Sequence, residues 1–267
     1  MSIAVLGPKG TFSEEAAKRL PEETLKYVQS IEEVFDVVDK GLCNSGVVPI
    51  DNSLEGSVSD TVECLLKYEL RICREVKLPI EHYLASNGSV MDIKTVFSHL
   101  QALQQCKKNL KKLLPKARTE VTASTAKAFE LVSQSKDKSR AALGSKAAAE
   151  EYGLKLLTGN LSDHEHNETR FFVISKEKTK PTRKDKTSIV VALKHKPGSL
   201  YDFLGMFAKQ GINLTKIESR PWRGKGWEYL FFIDFEGHKQ DDRIAKLLSE
   251  VEKSSAFFKF LGSYGTL

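Results

Sequence analysis

Apolar segments alternate with amphipathic segments over about the first 180 residues, and this alternation constrains the fold more than any other feature. The apolar runs that we interpret as strands are residues 3–7, 25–28, 46–50, 95–99, 119–123, 140–144 and 170–174. The helices predicted between them are residues 13–20, 30–41, 61–68, 100–114, 124–132 and 145–153. Such alternation predicts a mostly parallel sheet covered by helices. Because these elements exceed one simple unit, we expect an α/β fold of two lobes with a cleft between them.

One predicted helix carries clear signals for both of its ends. Ser30 and Glu33 fit a capping box at its start, and Gly41 suits the position just beyond its last turn. These signals place the second helix between residues 30 and 41.

The pattern changes after residue 186 to β-α-β-β-α-β within about 80 residues. These elements are residues 187–195, 199–211, 212–222, 228–237, 241–254 and 257–265, with a turn predicted at residues 223–227. This order predicts a four-stranded antiparallel sheet with two helices on one face. The preceding segment, residues 176–186, contains Pro181 and no apolar residue, so we interpret it as a solvated linker. The predicted domains are therefore residues 1–178 and 187–267.

Composition narrows the class of protein. Of the 267 residues, 40% are hydrophobic and 28% are charged, which is typical of a globular protein. The sequence shows neither a secretory signal nor an apolar stretch near the ~20 residues of a membrane span, so we expect a cytoplasmic protein without membrane contact. The four cysteines, Cys43, Cys64, Cys73 and Cys106, are widely spaced without a C-x-x-C pair, and we expect reduced thiols.

The formal net charge of +6 raises the question of a nucleic-acid partner. Basic residues are mostly interleaved with acidic ones, and no basic stripe carries alternating aromatic residues or a known nucleic-acid motif. We therefore expect no nucleic-acid partner. A mild positive excess also suits the attraction of a small dianionic substrate, and the charge by itself does not choose between these possibilities.

Polar residues follow four of the predicted strands at the points where helices begin. These residues are Thr11 and Ser13, Asn52 and Ser53, Ser98 and Gln101, and Ser124 and Thr125. Ligands of open α/β sheets bind beyond the carboxyl ends of the strands, where helix N-termini favour anions. Helix capping explains each pair taken singly. Their recurrence at four strand ends favours a site for a polar, anionic small molecule.

Other kinds of site are weakly supported. The chain has no G-x-G-x-x-G after its first strand and no G-x-x-x-x-G-K-[ST], so we expect no nucleotide cofactor. His164 and His166 lie among acidic residues without a third ligand cluster at recognisable spacing, and we expect no metal. Ser53 and His99 lack the G-x-S-x-G motif of a hydrolase nucleophile.

Several longer motifs occur in order along almost the whole chain. They are GPKGTFSEEAA (7–17), VPIDNSLEGSV (48–58), SHLQALQQC (98–106), STAKAF (124–129), GSKAAAEEYGL (144–154), NETRFFVI (167–174) and PGSLYDFLGMFAKQGINLTKIESRP (197–221). Together they resemble monofunctional prephenate dehydratases, in which an ACT regulatory domain follows the catalytic domain. The resemblance implies a two-lobed catalytic fold similar to periplasmic binding proteins, plus a ferredoxin-like βαββαβ ACT domain. Leu100 stands where the family usually has proline, and Asp51 replaces a commoner glutamate.

The resemblance also implies a reaction, the conversion of prephenate to phenylpyruvate, carbon dioxide and water. Hydroxide is a poor leaving group, so the site must donate a hydrogen bond or a proton to it. By resemblance, Thr169 is the hydroxyl nearest that group, and Arg170 is a carboxylate anchor or an orienting charge. Phe171 would pack beside the ring or hold the strand. The eight polar residues at the strand ends would supply neutral donors around the dianion.

In the second domain, the PGSL and ESRP motifs match the effector motifs of the family and imply phenylalanine binding between paired ACT domains. The residues implied are Pro197, Gly198, Ser199, Leu200, Asn213, Leu214, Glu218, Ser219, Arg220 and Pro221. Such a site requires an oligomer, either a homodimer or a homotetramer.

Two other functions stay open at this point. Arogenate dehydratases act on the amino analogue of prephenate, and the sequence does not distinguish a keto from an amino side chain. A two-lobed sensor of amino acids or organic anions would share the fold without catalysis.

Overall fold

The computed structural model describes residues 2–21, 24–222 and 229–266. The strands are β1 (Ser2–Leu6), β2 (Thr24–Val28), β3 (Ser45–Asn52), β4 (Gly56–Ser57), β5 (Arg71–Pro79), β6 (Tyr83–Ser86), β7 (Thr95–Ser98), β8 (Arg118–Val121), β9 (Arg140–Gly144), β10 (Lys155–Leu156), β11 (Glu168–Ser175), β12 (Asp185–Ala192), β13 (Leu214–Pro221), β14 (Tyr229–Glu236) and β15 (Phe257–Thr266). The α-helices are α1 (Phe12–Ala17), α2 (Ile31–Asp39), α3 (Ser59–Lys67), α4 (Leu100–Gln105), α5 (Lys107–Leu113), α6 (Thr125–Ser135), α7 (Lys146–Glu151), α8 (Ser199–Lys209) and α9 (Asp242–Ser254). None of these helices is long and apolar enough to cross a membrane.

The chain divides into two compact units. The first unit comprises residues 1–61 and 77–171, and the second comprises residues 62–76 and 172–267. The segment Val62–Val76 therefore belongs to the same unit as the C-terminal elements, although it lies far from them in sequence.

In the first unit, β1 is the centre of a parallel arrangement. It pairs with β2 on one side and with β3 on the other, and α1 and α2 pack against it. Ser30 Oγ accepts a hydrogen bond from the backbone N–H of Glu33 at 3.1 Å, and Gly41 adopts a φ of 71° just after α2. Both predicted end signals of this helix are confirmed, except that the Glu33 carboxylate accepts from Gln29 N rather than from Ser30 N.

The first unit also contains a five-stranded sheet in the order β10-β6-β9-β7-β8. Strand β7 is parallel to β8 and β9, whereas β6 is antiparallel to β9 and β10. This sheet is mixed, so the prediction of a mostly parallel sheet was wrong here. Strands β5 and β6 were not predicted because charged residues at positions 71, 74, 75 and 77 interrupt the apolar pattern just before β6.

The helix predicted at residues 100–114 is in fact two helices. Cys106 has a φ of −116° and a ψ of 9°, which ends α4 and precedes α5. The Asp163 carboxylate accepts hydrogen bonds from Lys108 N at 2.8 Å and Asn109 N at 2.9 Å. A carboxylate from elsewhere in the chain thus caps the first turn of α5, and no local pattern could have indicated this.

The C-terminal elements confirm the predicted β-α-β-β-α-β order. The sheet order is β13-β14-β12-β15, and every neighbouring pair in it is antiparallel. Helices α8 and α9 cover one face, with Phe203, Phe207 and Leu247 packing on Ile189 and Phe235. The turn predicted at residues 223–227 lies outside the described residues.

The segment Val62–Val76 extends this C-terminal sheet. Strand β15 pairs in parallel with β5, with Gly265 opposite Arg74 and Thr266 opposite Glu75. The two strands approach closely, since a Cβ atom on Gly262 would lie 2.2 Å from the carbonyl oxygen of Ile72. Glycine is therefore required at position 262 for this pairing.

Candidate active site

Thr169 lies near the start of β11 and beside the end of β3, its neighbour in the sheet. It is 9% exposed and Asn52 is 8% exposed. The side-chain amide nitrogen of Asn52, Nδ2, lies 2.8 Å from Thr169 Oγ1 and 2.8 Å from Asn167 Oδ1. Ser53 N also donates to the carbonyl oxygen of Glu168 at 2.9 Å. The structure thus brings together Asn52 and Thr169, which are 117 residues apart.

The orientation of the Asn52 amide is determined by its surroundings. Asn52 Oδ1 accepts hydrogen bonds from the backbone N–H groups of Leu54 at 3.0 Å and Glu55 at 3.2 Å. The NH₂ group must therefore face Thr169 and Asn167. Because this group can only donate, Thr169 Oγ1 is the acceptor, and the Thr169 proton is available to another acceptor.

Three further buried side chains join Asn52 and Thr169 in a polar cluster, and none of the three was among the predicted site residues. They are Asn167, Gln105 and His82, which are 6%, 6% and 3% exposed. Gln105 Oε1 accepts from Asn167 Nδ2 at 3.0 Å and lies 3.0 Å from His82 Nε2. No local signal marked Gln105 or His82, which stand beside Gln104 and Glu81, and the only signal for Asn167 was its place in the NETRF motif.

Arg170 lies on the other side of the strand. Successive side chains of a strand point to opposite faces, so Arg170 faces away from Thr169 and Phe171. Its Nη1 atom lies 3.7 Å from Asp51 Oδ2, and the neighbour of Asp51 in sequence is the Asn52 that contacts Thr169. Phe171 is 2% exposed. Whether Arg170 is a carboxylate anchor or an orienting charge stays a prediction.

Three of the remaining predicted residues, Thr11, Ser98 and Ser124, make hydrogen bonds that stabilise the fold. Thr11 Oγ1 donates to Leu6 O at 2.9 Å and caps α1, and Ser124 Oγ caps α6 by accepting from Lys127 N at 3.0 Å. The fully buried Ser98 donates to Leu143 O at 2.5 Å. These are the capping and structural roles that each residue type ordinarily has. Contact of these residues, and of Ser13, Ser53, Gln101 and Thr125, with a substrate stays a prediction.

Elements of both predicted lobes meet around the polar cluster. Asn52 and Thr169 come from β3 and β11, whereas Gln105 comes from α4, beside the five-stranded sheet. A second meeting point lies at Gly10, whose carbonyl oxygen accepts from Ser145 Oγ at 3.1 Å. Gly10 has a φ of 81°, and a Cβ atom there would lie 2.8 Å from Ala148 Cα. The cluster is therefore assembled by tertiary contacts within the first unit.

The described residues include no group of three or more His, Cys, Asp or Glu side chains that could hold a metal ion. His164 and His166 are exposed. The four cysteines are free thiols, and burial raises the pKa of Cys73 to about 11 and that of Cys106 to about 12.

Comparison with known families identifies the family of the chain. The family model of prephenate dehydratase matches residues 3–179, and that of the ACT domain matches residues 187–253. The chain belongs to the prephenate dehydratase family.

Individual relatives match nearly the full length of this chain. It is 43% identical to the prephenate dehydratase of Methanocaldococcus jannaschii, covering 96% of this chain and 95% of the relative. It is 42% identical to the bifunctional chorismate mutase/prephenate dehydratase of Aquifex aeolicus, covering 99% of this chain and 73% of the relative. The crystal structure of prephenate dehydratase from Arthrobacter aurescens in complex with L-Phe superposes with a TM-score of 0.91 at 33% identity, covering 99% and 90% of the two chains. Plant arogenate dehydratases are also related.

These comparisons confirm the resemblance inferred from the motifs. The protein is an enzyme of the prephenate dehydratase family with a mixed α/β fold and a C-terminal ACT domain. The catalytic role expected for Thr169 from the resemblance stays a prediction.

Proposed function

We propose that this enzyme converts prephenate to phenylpyruvate and that Thr169 donates a hydrogen bond to the departing hydroxyl group. One observation carries the assignment to Thr169. Its Oγ1 accepts from Asn52 Nδ2 at 2.8 Å, so its own proton is free to be donated. The oxygen of the departing hydroxyl group of the substrate would accept this proton in a hydrogen bond.

The reaction makes defined demands on the site. The bond from the ring to its carboxylate breaks, its electron pair enters the ring, and the bond to the ring hydroxyl breaks on the opposite side. Prephenate dianion thereby gives carbon dioxide, hydroxide and phenylpyruvate anion, and a proton from solvent converts the hydroxide to water. A positioned donor lowers the barrier because it stabilises the charge that develops on the leaving oxygen.

The neutral character of the cluster supports this chemistry. Asn52, Asn167 and Gln105 are amides, and none of them carries a charge that could pair with the ring carboxylate of the substrate. Strong stabilisation of that carboxylate in the ground state would oppose its loss. Neutral donors instead act mainly on the charge that appears in the transition state.

The ACT domain is proposed to bind phenylalanine as a feedback inhibitor. Gly198, with a φ of 83°, precedes α8, whose first backbone N–H groups suit an amino-acid carboxylate. The Glu218 carboxylate lies 2.8 Å from Arg220 Nε and 3.2 Å from Lys216 Nζ, and it is the acidic group of the ESRP motif. The relative from Arthrobacter aurescens was solved with L-Phe.

Further parts of the proposal concern organisation. Catalytic and ACT domains would span residues 1–178 and 187–267, and the protein would act in the cytoplasm as a homodimer or homotetramer. The ACT motifs support an oligomer because the effector site of the family lies between paired domains. Sedimentation velocity with and without phenylalanine would determine the oligomeric state.

The activity is tested by incubating the enzyme with prephenate and, separately, with arogenate, and following the aromatic product of each. Formation of phenylpyruvate from prephenate at the higher kcat/KM supports the proposal. Preferred conversion of arogenate would assign the second dehydratase activity instead. Tight binding of either compound without turnover would support the sensor function.

The effector site is tested by substituting Glu218→Gln and comparing it with Glu252→Gln on the exposed side of α9. Because the α-ammonium group of phenylalanine requires an anionic partner, we expect Glu218→Gln to weaken inhibition about tenfold or more. Glu252→Gln should leave inhibition unchanged. Equal inhibition of both variants would remove Glu218 from the effector site.

A further inference from the structure

His82 is a buried histidine next to the polar cluster, and no step of the proposed reaction uses it directly. It is 3% exposed, and its Nδ1 atom is buried without a hydrogen-bond partner. Its ring meets the Phe12 ring edge-on, with centroids 5.9 Å apart. Burial lowers the pKa of His82 below its ordinary value, so the ring is uncharged at neutral pH.

The tautomer of His82 follows from its partner. Gln105 Nε2 donates to the Glu55 carboxylate at 3.3 Å, so Gln105 Oε1 faces His82 and Asn167. A carbonyl oxygen can only accept, and it lies 3.0 Å from His82 Nε2. The proton is therefore on Nε2.

A continuous series of hydrogen bonds leads from His82 to Thr169. His82 and Asn167 both donate to Gln105 Oε1, and Asn52 donates to Asn167 Oδ1 and to Thr169 Oγ1. Each amide in the series has only one orientation that satisfies both of its neighbours. Loss of the first donor would leave Gln105 Oε1 with one partner fewer and loosen the amides that follow it.

We propose that His82 is a positioning residue for the dehydratase reaction: it holds Gln105 and Asn167 in place, so that Asn167 Oδ1 aligns the Asn52 amide for its hydrogen bond to Thr169. The inference rests on the proposed function and assigns His82 an effect on Thr169 through other residues, without contact with the substrate. Its consequence is kinetic. The backbone N–H groups of Leu54 and Glu55 set which way the Asn52 amide faces, and the intact series fixes its second acceptor, Asn167 Oδ1, and with it the alignment of its bond to Thr169.

The test compares His82→Gln with His82→Met, two side chains of nearly equal size of which only glutamine carries an N–H donor. We expect His82→Gln to keep kcat within about threefold of the wild type and His82→Met to lower it about tenfold or more, with KM for prephenate nearly unchanged in both. Thermal unfolding of both variants provides the control for packing. Equal kcat values for the two variants would overturn the proposal.

A double substitution separates positioning from general support of the fold. If His82 acts through Thr169, adding His82→Met to a Thr169→Ala variant should lower the remaining kcat less than twofold. A merely structural role would reduce kcat by the same factor in both backgrounds, and that result would overturn the proposal. Should His82→Met not fold, Gln105→Met removes the acceptor of both His82 and Asn167 and should lower kcat at least as much, again with less than a twofold effect in the Thr169→Ala background.

The wild-type assay separates this proposal from the proposed function. Absence of turnover of prephenate and arogenate by the wild-type enzyme would overturn both. Turnover by the wild type together with normal kcat in His82→Met would overturn the role of His82 alone.

Discussion

The polar cluster of the first unit and the buried charged groups around Glu75 and Asp234 in the second unit are of different kinds. In the first unit the cluster from His82 to Thr169 is built from neutral imidazole, amide and hydroxyl groups. In the second unit, Lys186 Nζ lies 3.0 and 3.1 Å from the carboxylate oxygens of Glu75, which is fully buried. The equally buried Asp234 accepts from Ser188 Oγ at 2.5 Å.

The charged groups of the second unit connect segments that are distant in sequence. Lys259 on β15 donates to the carbonyl oxygens of Leu66 and Tyr68, each at 2.9 Å, near the C-terminal end of α3. Lys186 on β12 pairs with Glu75 on β5. A cation at the end of a helix is stabilised by the helix dipole and satisfies its last carbonyls. These contacts attach Val62–Val76 to the C-terminal strands.

The comparison shows how charge is used differently in one chain. A buried ion pair holds two segments together because either partner left alone would be costly. A series of neutral hydrogen bonds instead sets the direction of each donor without a strong field. Directional neutral groups suit a reaction that must release a carboxylate from its substrate as carbon dioxide.

The largest effect, a loss of kcat, is expected from removing the Thr169 hydroxyl of the polar cluster. Thr169→Ala should lower kcat on the order of 10²-fold or more, because it removes the donor to the leaving group. Thr169→Ser keeps a hydroxyl and should retain more activity. Steady-state kinetics with prephenate and circular dichroism of each variant check this prediction. Unchanged turnover in folded Thr169→Ala would return Thr169 to a structural role.

Substitution in the buried pair of Glu75 and Lys186 should change the free energy of unfolding. Glu75→Gln leaves the partly buried Lys186 without its full countercharge, and we expect a loss of about 2 kcal/mol in the free energy of unfolding. The exposed pair between Lys127 and Glu130, 2.8 Å apart, provides the control. Glu130→Gln should cost at most about 0.5 kcal/mol. Urea denaturation of both variants measures the difference, and equal midpoints would contradict the distinction between the clusters.

Arg170 is a charged residue next in sequence to Thr169 of the neutral polar cluster, so its substitution shows whether a charge contributes to the activity of this site. Arg170→Lys should lower kcat/KM about tenfold, because lysine does not reproduce the planar donor geometry toward Asp51. If Arg170 acts through Asp51, then Asp51→Asn should have a similar effect, and the double variant should show no further loss. A rise in KM with Arg170→Lys but not with Asp51→Asn would instead indicate direct binding of a substrate carboxylate.

The smallest effect concerns pH. Burial lowers the pKa values of His82 in the first unit and His238 in the second below the ordinary 6.5. Below that pH the unfolded chain binds protons that the native state does not, so these groups destabilise the fold as the pH falls. Glu15, whose pKa is raised by burial, acts in the opposite direction above its ordinary 4.5. Urea denaturation at pH 7.5 and 5.5 should show a smaller loss of stability for His82→Gln than for the wild type, and an equal loss would contradict the assignment.

Local sequence patterns were sufficient for most elements. Residues 140–144 form β9 as predicted, and the C-terminal order of strands and helices is confirmed to within a few residues. Ser30 and Gly41 mark the ends of α2 because capping depends only on neighbouring backbone groups. Through the family resemblance, the NETRF motif indicated Thr169 from the sequence alone.

Contacts between distant residues were decided only in the folded chain. Gln105 meets His82 across 23 residues and Asn167 across 62, and Asn52 meets Thr169 across 117. No periodicity in the sequence relates these residues to one another. The charges of residues 71–77 likewise hid β5, whose partner β15 lies at the other end of the chain.

The sequence by itself determined most of the helices and strands, though not β5 or β6, and which hydroxyl belongs to the family motif, because periodicity and capping act over a few residues. The tertiary structure alone decided the orientation of that hydroxyl, the partners of His82 and Gln105, and the grouping of Val62–Val76 with the C-terminal strands. The physical reason is that a buried polar group must find a hydrogen-bond partner wherever packing places one, independently of distance along the chain.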